Sequence, residues 1–336
     1  MLNTFIASNG TGIARAEKDA QGAWSVAQLL QGQDVRCLLA HPLDPAVVYA
    51  GTQGQGVLCS ADRGRTWHAA GLRGEVVKSL AASPRRPERL YAGTRPAAIF
   101  ASHDGGATWA ELEGFRQVRR WYWFSPAEPP SFAPYVLGLS VSPADPDVIV
   151  AGIEAGAVLR SEDGGQTWAG HCPGADRDCH SLTFHSSDGR WAYEGGGGGA
   201  AVSRDGGRSW RKPKAGLDRR YCWACAADPE RPEVWYVSAS PGFSWRHLRP
   251  RGHVDGDAGA YIFRSSGGAP WEKLGGSLPQ PLAYMAYALL TNAQAPGHLW
   301  AGLSNGDVWH SADYGDSWRQ LPFNLGAIRR TMIGLP

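Results

Sequence analysis

Several things are scarce in this chain of 336 residues, and each scarcity removes a class of protein. No apolar run is long enough to span a bilayer, so a membrane helix is not expected. Residues 1–9 show no basic region followed by a long apolar stretch, which argues against a signal peptide. The 33 Lys and Arg nearly balance the 31 Asp and Glu, and a formal charge of +2 is no electrostatic footprint for nucleic acid. The six cysteines have no regular framework, which points to a reduced, cytoplasmic protein. His171, Cys172, Cys179 and His180 match no standard zinc spacing, and Cys222 and Cys225, on a strand, are expected on opposite faces. No metal and no cofactor are expected.

What is abundant is Gly, at 44, and Trp, at 15, as many short strands and tight turns require. They recur together. Ser161-Glu162-Asp163-Gly164-Gly165-Gln166-Thr167-Trp168 reads Ser-x-Asp-x-Gly-x-Thr-Trp. The pattern returns at residues 60–67, 102–109, 203–210 and 311–318, with weaker copies ending at Trp24 and Trp271. Locally this is a hairpin turn. Asp and Ser bond the turn's own backbone, Gly supplies positive φ, and Trp covers apolar area from the outgoing strand.

The eight-residue stretch resembles the Asp-box, or bacterial neuraminidase repeat. That repeat marks β-propeller blades in sialidases, xyloglucanases, sortilin-type receptors and a photosystem II assembly factor. The resemblance covers nearly the whole chain. It implies a propeller in which each box staples an outer hairpin away from the functional site, so it speaks to fold rather than activity. The Arg-Ile-Pro stretch of sialidases is absent here.

The close spacings of the box tryptophans, 42 or 43 residues, are the length of one four-stranded blade. Residues 35–71 show the unit as strands at 35–41, 46–52, 56–60 and 66–70. The order recurs from Val77, Val136, Cys179, Cys222 and Ala286. The first blade lacks an inner strand, and residues 328–335 supply a candidate. The expected fold is therefore all-β: a single domain over 1–336, a seven-bladed β-propeller of four-stranded antiparallel blades, its ring closed by pairing the C-terminal strand with the N-terminal blade. Two insertions, about 115–135 and 241–258, are expected on one face, opposite the box turns, because of the strands they connect.

Aligned inner strands produce a polar, chemically varied column of Arg36, Lys78, Leu137, His180, Trp223, Tyr287 and Arg330. Two residues on, the column is Leu38, Leu80, Leu139, Leu182, Cys225, Leu289 and Met332, which reads as core. Arg36, Lys78 and Arg330 suit a carboxylate or phosphate. Solvated channel residues would look the same. The second-strand column is Ala7, Ala50, Ala92, Ala151, Glu194, Val237 and Ala301. A carboxylate among small apolar residues needs a partner or a raised pKa, and Gly195 to Gly199 follow it as open backbone. Glu194, with Asp178 and His180 opening the inner strand of its blade, is the candidate catalytic group, and a buried structural Glu is the competing reading. The insertions add Trp121, Trp123 and Trp245 among arginines. These suit stacking on a ring with a cation for an anionic group, or a lid packed on itself.

Two functions follow from these residues and the resemblance. One is a glycoside-hydrolase-like enzyme acting on a sugar or anionic small molecule. It would need two carboxylates roughly 5 to 10 Å apart, with Glu154, Asp178, Asp255 or Asp257 as the second. The other is a non-catalytic propeller that holds a peptide, a glycan or a partner protein at the same mouth.

Overall fold

The computed structural model describes residues 2–118, 120, 122–123, 125 and 132–336. The chain is almost entirely β and is a seven-bladed β-propeller of small antiparallel sheets. It divides into two compact units. One comprises Met1–Gly32, Gly195–Ala200 and Lys212–Pro336, and the other Gln33–Glu194 and Ala201–Arg211.

The first unit holds three complete blades. Blade 1 has Thr4–Ser8, Ile13–Lys18 and Trp24–Leu29, with Met332–Leu335 as its inner strand. Ala7 pairs with Met332 and Thr4 with Leu335, so the two ends of the chain share one sheet. Blade 6 has Tyr221–Ala227, Val234–Ser240, Tyr261–Ser266 and Glu272–Lys273. Blade 7 has Ala286–Asn292, Ala295–Leu303, Asp307–Ser311 and Arg319–Asn324. Phe5, Trp24 and Phe323 pack with ring centroids 4.4 to 5.8 Å apart in its core. Burying each such ring contributes about 1.5–3 kcal/mol. The weak box copy ending at Trp24 therefore still packs its half-buried tryptophan against the core.

The second unit holds blade 2 (Val35–Ala40, Val48–Thr52, Val57–Ser60, His68–Ala69) and blade 3 (Val76–Ala82, Leu90–Arg95, Ile99–Ser102, Ala110–Glu111). Blade 4 (Val136–Val141, Ile149–Ile153, Val158–Ser161) and the sheet of blade 5 (Cys179–Phe184, Ala192–Gly196, Gly199–Ser203) each have three strands rather than the four expected. The fourth position of blade 4 has the Ala169 N–H donating to the Arg160 carbonyl and the Cys172 N–H to the Val158 carbonyl, both at 2.8 Å, and the Val158 N–H donating to His171 Nδ1 at 3.1 Å. In blade 5 it is reduced to one bridge between Val202 and Arg211. Pro173 and Gly174 interrupt the first of these segments and Pro213 stops the second, where a ladder needs N–H donors.

The five strict box turns are built alike. At Ser161 the hydroxyl donates to Asp163 Oδ1 (2.8 Å) and accepts the Gly165 N–H (2.9 Å). The Asp163 carboxylate takes the Thr167 N–H (2.9 Å) and hydroxyl (2.6 Å), and the Trp168 indole donates to the Gly165 carbonyl (3.0 Å). The same bonds recur at Ser60, Ser102, Ser203 and Ser311. Donation from the Thr108 and Ser317 side chains, with their N–H groups, holds the Asp104 and Asp313 carboxyls down at about 2. Each turn places two consecutive residues at positive φ, as at Gly164 (71°) and Gly165 (93°). Arg63 and Tyr314 adopt that conformation without being glycine.

The aligned columns correspond to real registers. Leu38 pairs with Ala50, Leu80 with Ala92, Leu139 with Ala151, Cys225 with Val237, Leu289 with Ala301, and Met332 with Ala7. The residue after the Ala is often Gly because the neighbouring inner strand packs there. A Cβ at Gly152 would lie 2.2 Å from Cys179 Sγ. No helix among the described residues is long and apolar enough to cross a bilayer.

Candidate functional site

The polar column owes its character to a repeated irregularity. The register of five inner strands slips between Val35 and Cys37, Val77 and Ser79, Val136 and Gly138, Cys222 and Cys225, and Ala286 and Ala288. Arg36, Lys78, Leu137, Trp223 and Tyr287 thus stand at the slips in register, as bulge residues. A bulge re-aims its side chain and frees it from the alternation of the ladder. That is why this column varies in chemistry while the next stays apolar.

In blade 5, Glu194 is 0 % exposed. Its Oε2 accepts the Asp176 N–H at 2.9 Å, and Asp176 Oδ1 accepts the Asp178 N–H at 3.0 Å. Asp178 Oδ1 lies 3.5 Å from His180 Nε2 and 3.4 Å from the Ala155 N–H. Burial pushes the Asp178 carboxyl up, but His180 and the Ala155 N–H outweigh it, and the carboxyl sits below its ordinary range. Burial likewise pushes the Cys172 thiol up to about 11, with Arg160 opposing and the Glu194 charge adding. The structure therefore links Glu194, Asp178 and His180 in one chain of contacts through Asp176, a member that sequence reasoning missed. Gly195 and Gly196 are buried strand residues rather than open backbone, and Gly198 is the exposed one. Among the described residues no three His, Cys, Asp or Glu side chains converge as metal ligands.

In the first unit, Trp223 and Tyr287 belong to an aromatic cluster centred on His253, which the turn Arg251–His253 presents. His253 Nε2 is 2.6 Å from the Tyr221 hydroxyl and Nδ1 is 2.6 Å from the Tyr287 hydroxyl. Trp223 meets the imidazole edge-on with centroids 5.0 Å apart, and Tyr287 stacks on it at 5.9 Å. Two residues on, Asp255 accepts from Ser304 Oγ (2.6 Å) and Arg329 Nη1 (2.7 Å). Burial raises the Tyr287 hydroxyl well above its ordinary pKa, with Asp255 adding and Arg329, Arg249 and Arg330 opposing. Arg330 is half-buried. Tyr221 and Arg329 escaped the column alignment. The alternation of Tyr221 and Trp223 at the head of one strand was the available signal.

The insertion around 241–258 carries a small hairpin, with Phe243–Ser244 paired to Arg249–Pro250. Trp245 at its tip is 84 % exposed, Phe243 56 % and Leu248 73 %. Arg246 and Arg249 are exposed beside them, whereas Arg251 is paired with Asp257. The first insertion behaves differently. Trp121 lies outside the described residues. Trp123 is 3 % exposed and packs on Phe115, whose ring meets box Trp168 at 5.6 Å. It belongs to the hydrophobic core of blades 3 and 4. The helix Glu113–Val118 presses so closely on the box turn that a Cβ at Gly114 would lie 1.8 Å from the Gln166 carbonyl. Lys78 is buried with Nζ 4.1 Å over the Tyr135 ring, and buried Arg36 pairs with Asp34. Neither is a solvated cation.

No family model matches the chain, and no curated sequence matches it. Solved structures do. An ancestral GH74 enzyme superposes with a TM-score of 0.64 at 18 % identity over 85 % of this chain and 38 % of its own. The GH74 xyloglucanase from Xanthomonas campestris gives 0.60 at 20 % identity over 85 % and 45 %. YCF48 bound to D1 peptide gives 0.56 at 15 % identity over 85 % and 82 %. This chain spans less than half the length of the GH74 structures it matches. At these identities the likeness is one of fold.

Proposed function

We propose that the protein is a non-catalytic binding propeller, and that the hairpin of the 241–258 insertion grips an acidic, apolar segment of a partner polypeptide. The carrying observation is the exposed trio Phe243, Trp245 and Leu248 with Arg246 and Arg249 beside it. Contiguous apolar side chains are costly to leave in water and mark interaction surfaces, and Trp and Arg are the residues that anchor them. The arginines select carboxylates on the partner. The YCF48 likeness supports this reading, since it covers most of both chains and that structure holds a peptide. The five repeated turns satisfy their own hydrogen bonds, which suits a scaffold role for them. Glycoside hydrolysis is less well served. It needs two carboxylates that reach a sugar, and Glu194 is sealed from solvent against the Asp176 N–H. A reducing compartment suits six cysteines that form no disulfide among the described residues.

The test is fluorescence anisotropy with a labelled Glu- and Leu-rich peptide and its Lys-rich counterpart. The acidic peptide binds, and Trp245→Ala weakens it at least about tenfold, or 1.4 kcal/mol. Equal affinity for both peptides, or turnover of chromogenic glycosides that disappears in Glu194→Gln, overturns the reading.

A further inference from the structure

We propose that the outer strand of blade 1, Trp24–Leu29, is an association edge, and that its partner is the same strand of a second copy of this chain. The outer strand of a blade ends its sheet and turns a row of backbone N–H and C=O groups toward solvent. Elsewhere in this chain that row is short or guarded. His68–Ala69, Ala110–Glu111 and Glu272–Lys273 are each 2 residues long. Arg319–Asn324 begins with a charge and carries Pro322 within it. Trp24–Leu29 has 6 residues with neither proline nor charge, and no charged side chain occurs anywhere between positions 20 and 33. It is the outermost strand of its sheet, and Ser25, Val26, Ala27 and Gln28 are exposed. The devices that keep other edges from pairing are missing here.

The hydrogen bonds fix which groups point outward. The Lys18 N–H donates to the Asn3 carbonyl, toward the centre of the blade, and the Asp19 N–H to the Ala23 carbonyl, on the outer side. Backbone direction alternates along a strand, and Ser25 pairs with Glu17 and Ala27 with Arg15. Ser25 and Ala27 therefore spend their N–H and C=O groups on the second strand of the blade, while those of Trp24, Val26 and Gln28 face away from it. Among the described residues these outward groups have no backbone partner. They are symmetric about Val26. An antiparallel copy centred there sets Val26 opposite its own counterpart and Trp24 opposite Gln28, and each exchanges N–H and C=O with the residue it faces. A shift of the copy by two positions leaves an outward residue on each strand unmatched. The side chains brought together are uncharged, so the copy meets no like-charge repulsion, and a charged strand would find no opposite charge. The edge is also preorganised, because the Trp24 ring is packed 5.8 Å from Phe5 and 4.4 Å from Phe323.

The experiment is sedimentation equilibrium on the full chain from about 1 to 100 μM. The average mass should climb with concentration from 36.1 kDa toward twice that value. Amide hydrogen exchange then locates the contact: the segment 20–33 should exchange more slowly at the higher concentration, and the segment 319–324 should not change. Val26→Pro removes the central outward N–H, which the blade itself does not use, and should weaken association at least about tenfold. Val26→Lys sets like charges opposite each other and should weaken it to a similar degree, with part of the loss recovered in about 0.5 M salt. Tryptophan fluorescence and thermal unfolding report whether each variant is folded, and if Val26→Pro is not, Val26→Lys carries the test. A mass that stays at 36.1 kDa over the whole range, folded Val26 variants that associate as the unaltered protein does, or slowed exchange that spares 20–33 overturns the proposal.

Discussion

Glu194 in blade 5 and His253 in the second insertion are both polar groups in unusual places, and they are held in opposite ways. Glu194 is sealed, with a backbone N–H on its carboxylate and apolar neighbours around its strand. His253 is half-buried, with side-chain hydroxyls on both nitrogens and an open aromatic face beside it. A backbone donor cannot be moved by a ligand, whereas a hydroxyl can turn and offer its proton elsewhere. The first arrangement is fixed by the backbone; in the second the hydroxyls can rotate.

Substitutions at the two places should therefore separate stability from binding. The largest loss of stability is expected from Glu194→Leu, which strands the buried Asp176 N–H at a cost of about 3 kcal/mol. Thermal unfolding should show a fall of about 4 °C, with peptide binding intact. An unchanged melting temperature with lost binding would reverse the contrast.

A second buried group sharpens it. His310 Nε2 lies 2.9 Å from His298 Nδ1, and Arg319 donates to its other nitrogen at 3.4 Å. That donation leaves Nδ1 as acceptor and places the proton on Nε2, bonded to His298. Burial, with Arg319 and His298 adding, pushes His310 from 6.5 down to about 4. The unfolded chain then binds more protons between those values. Stability is fully present above about pH 6.5, is lost as pH falls toward 4, and levels off below, for a total of about 3 kcal/mol. Urea unfolding across that range should show the slope, and His310→Gln should remove it.

The box turns provide a local reference. Gly165→Ala meets both positive φ and Leu112 Cδ1 at 2.4 Å, while Gly105→Ala meets positive φ with its nearest atom 3.9 Å away. The second should cost about 1 kcal/mol and the first clearly more, measured as urea midpoints. The smallest change in stability is expected from Trp245→Ala, within about 0.5 kcal/mol, because that ring lies in water. A large loss there would mean that the hairpin tip packs on the fold.

Much of the fold was legible because it is local and repeated. A misaligned column would have failed against the registers, yet Leu38 faces Ala50 and Met332 faces Ala7 as the spacing required. The missing outer strands of blades 4 and 5 were not legible, since their box tryptophans are as regular as the rest, and a proline also follows Trp318 in blade 7, where the outer strand is complete. Trp123 and Trp245 look alike in sequence, as aromatics among arginines on an insertion. Phe115 and Trp168 bury the first, and nothing covers the second to the same degree.

The sequence by itself determined the turns and the blade count, because each Ser-x-Asp-x-Gly-x-Thr-Trp stretch satisfies its own hydrogen bonds within eight residues. It also determined which strand positions are polar. Only the tertiary structure decided what those polar residues do. Glu194 was sealed when the Asp176 N–H, 18 residues away, closed on it, and His253 was fixed when Tyr221 and Tyr287, 32 and 34 residues away, met its two nitrogens. Hydrogen bonds across such separations depend on how the strands pack, and no local pattern encodes them.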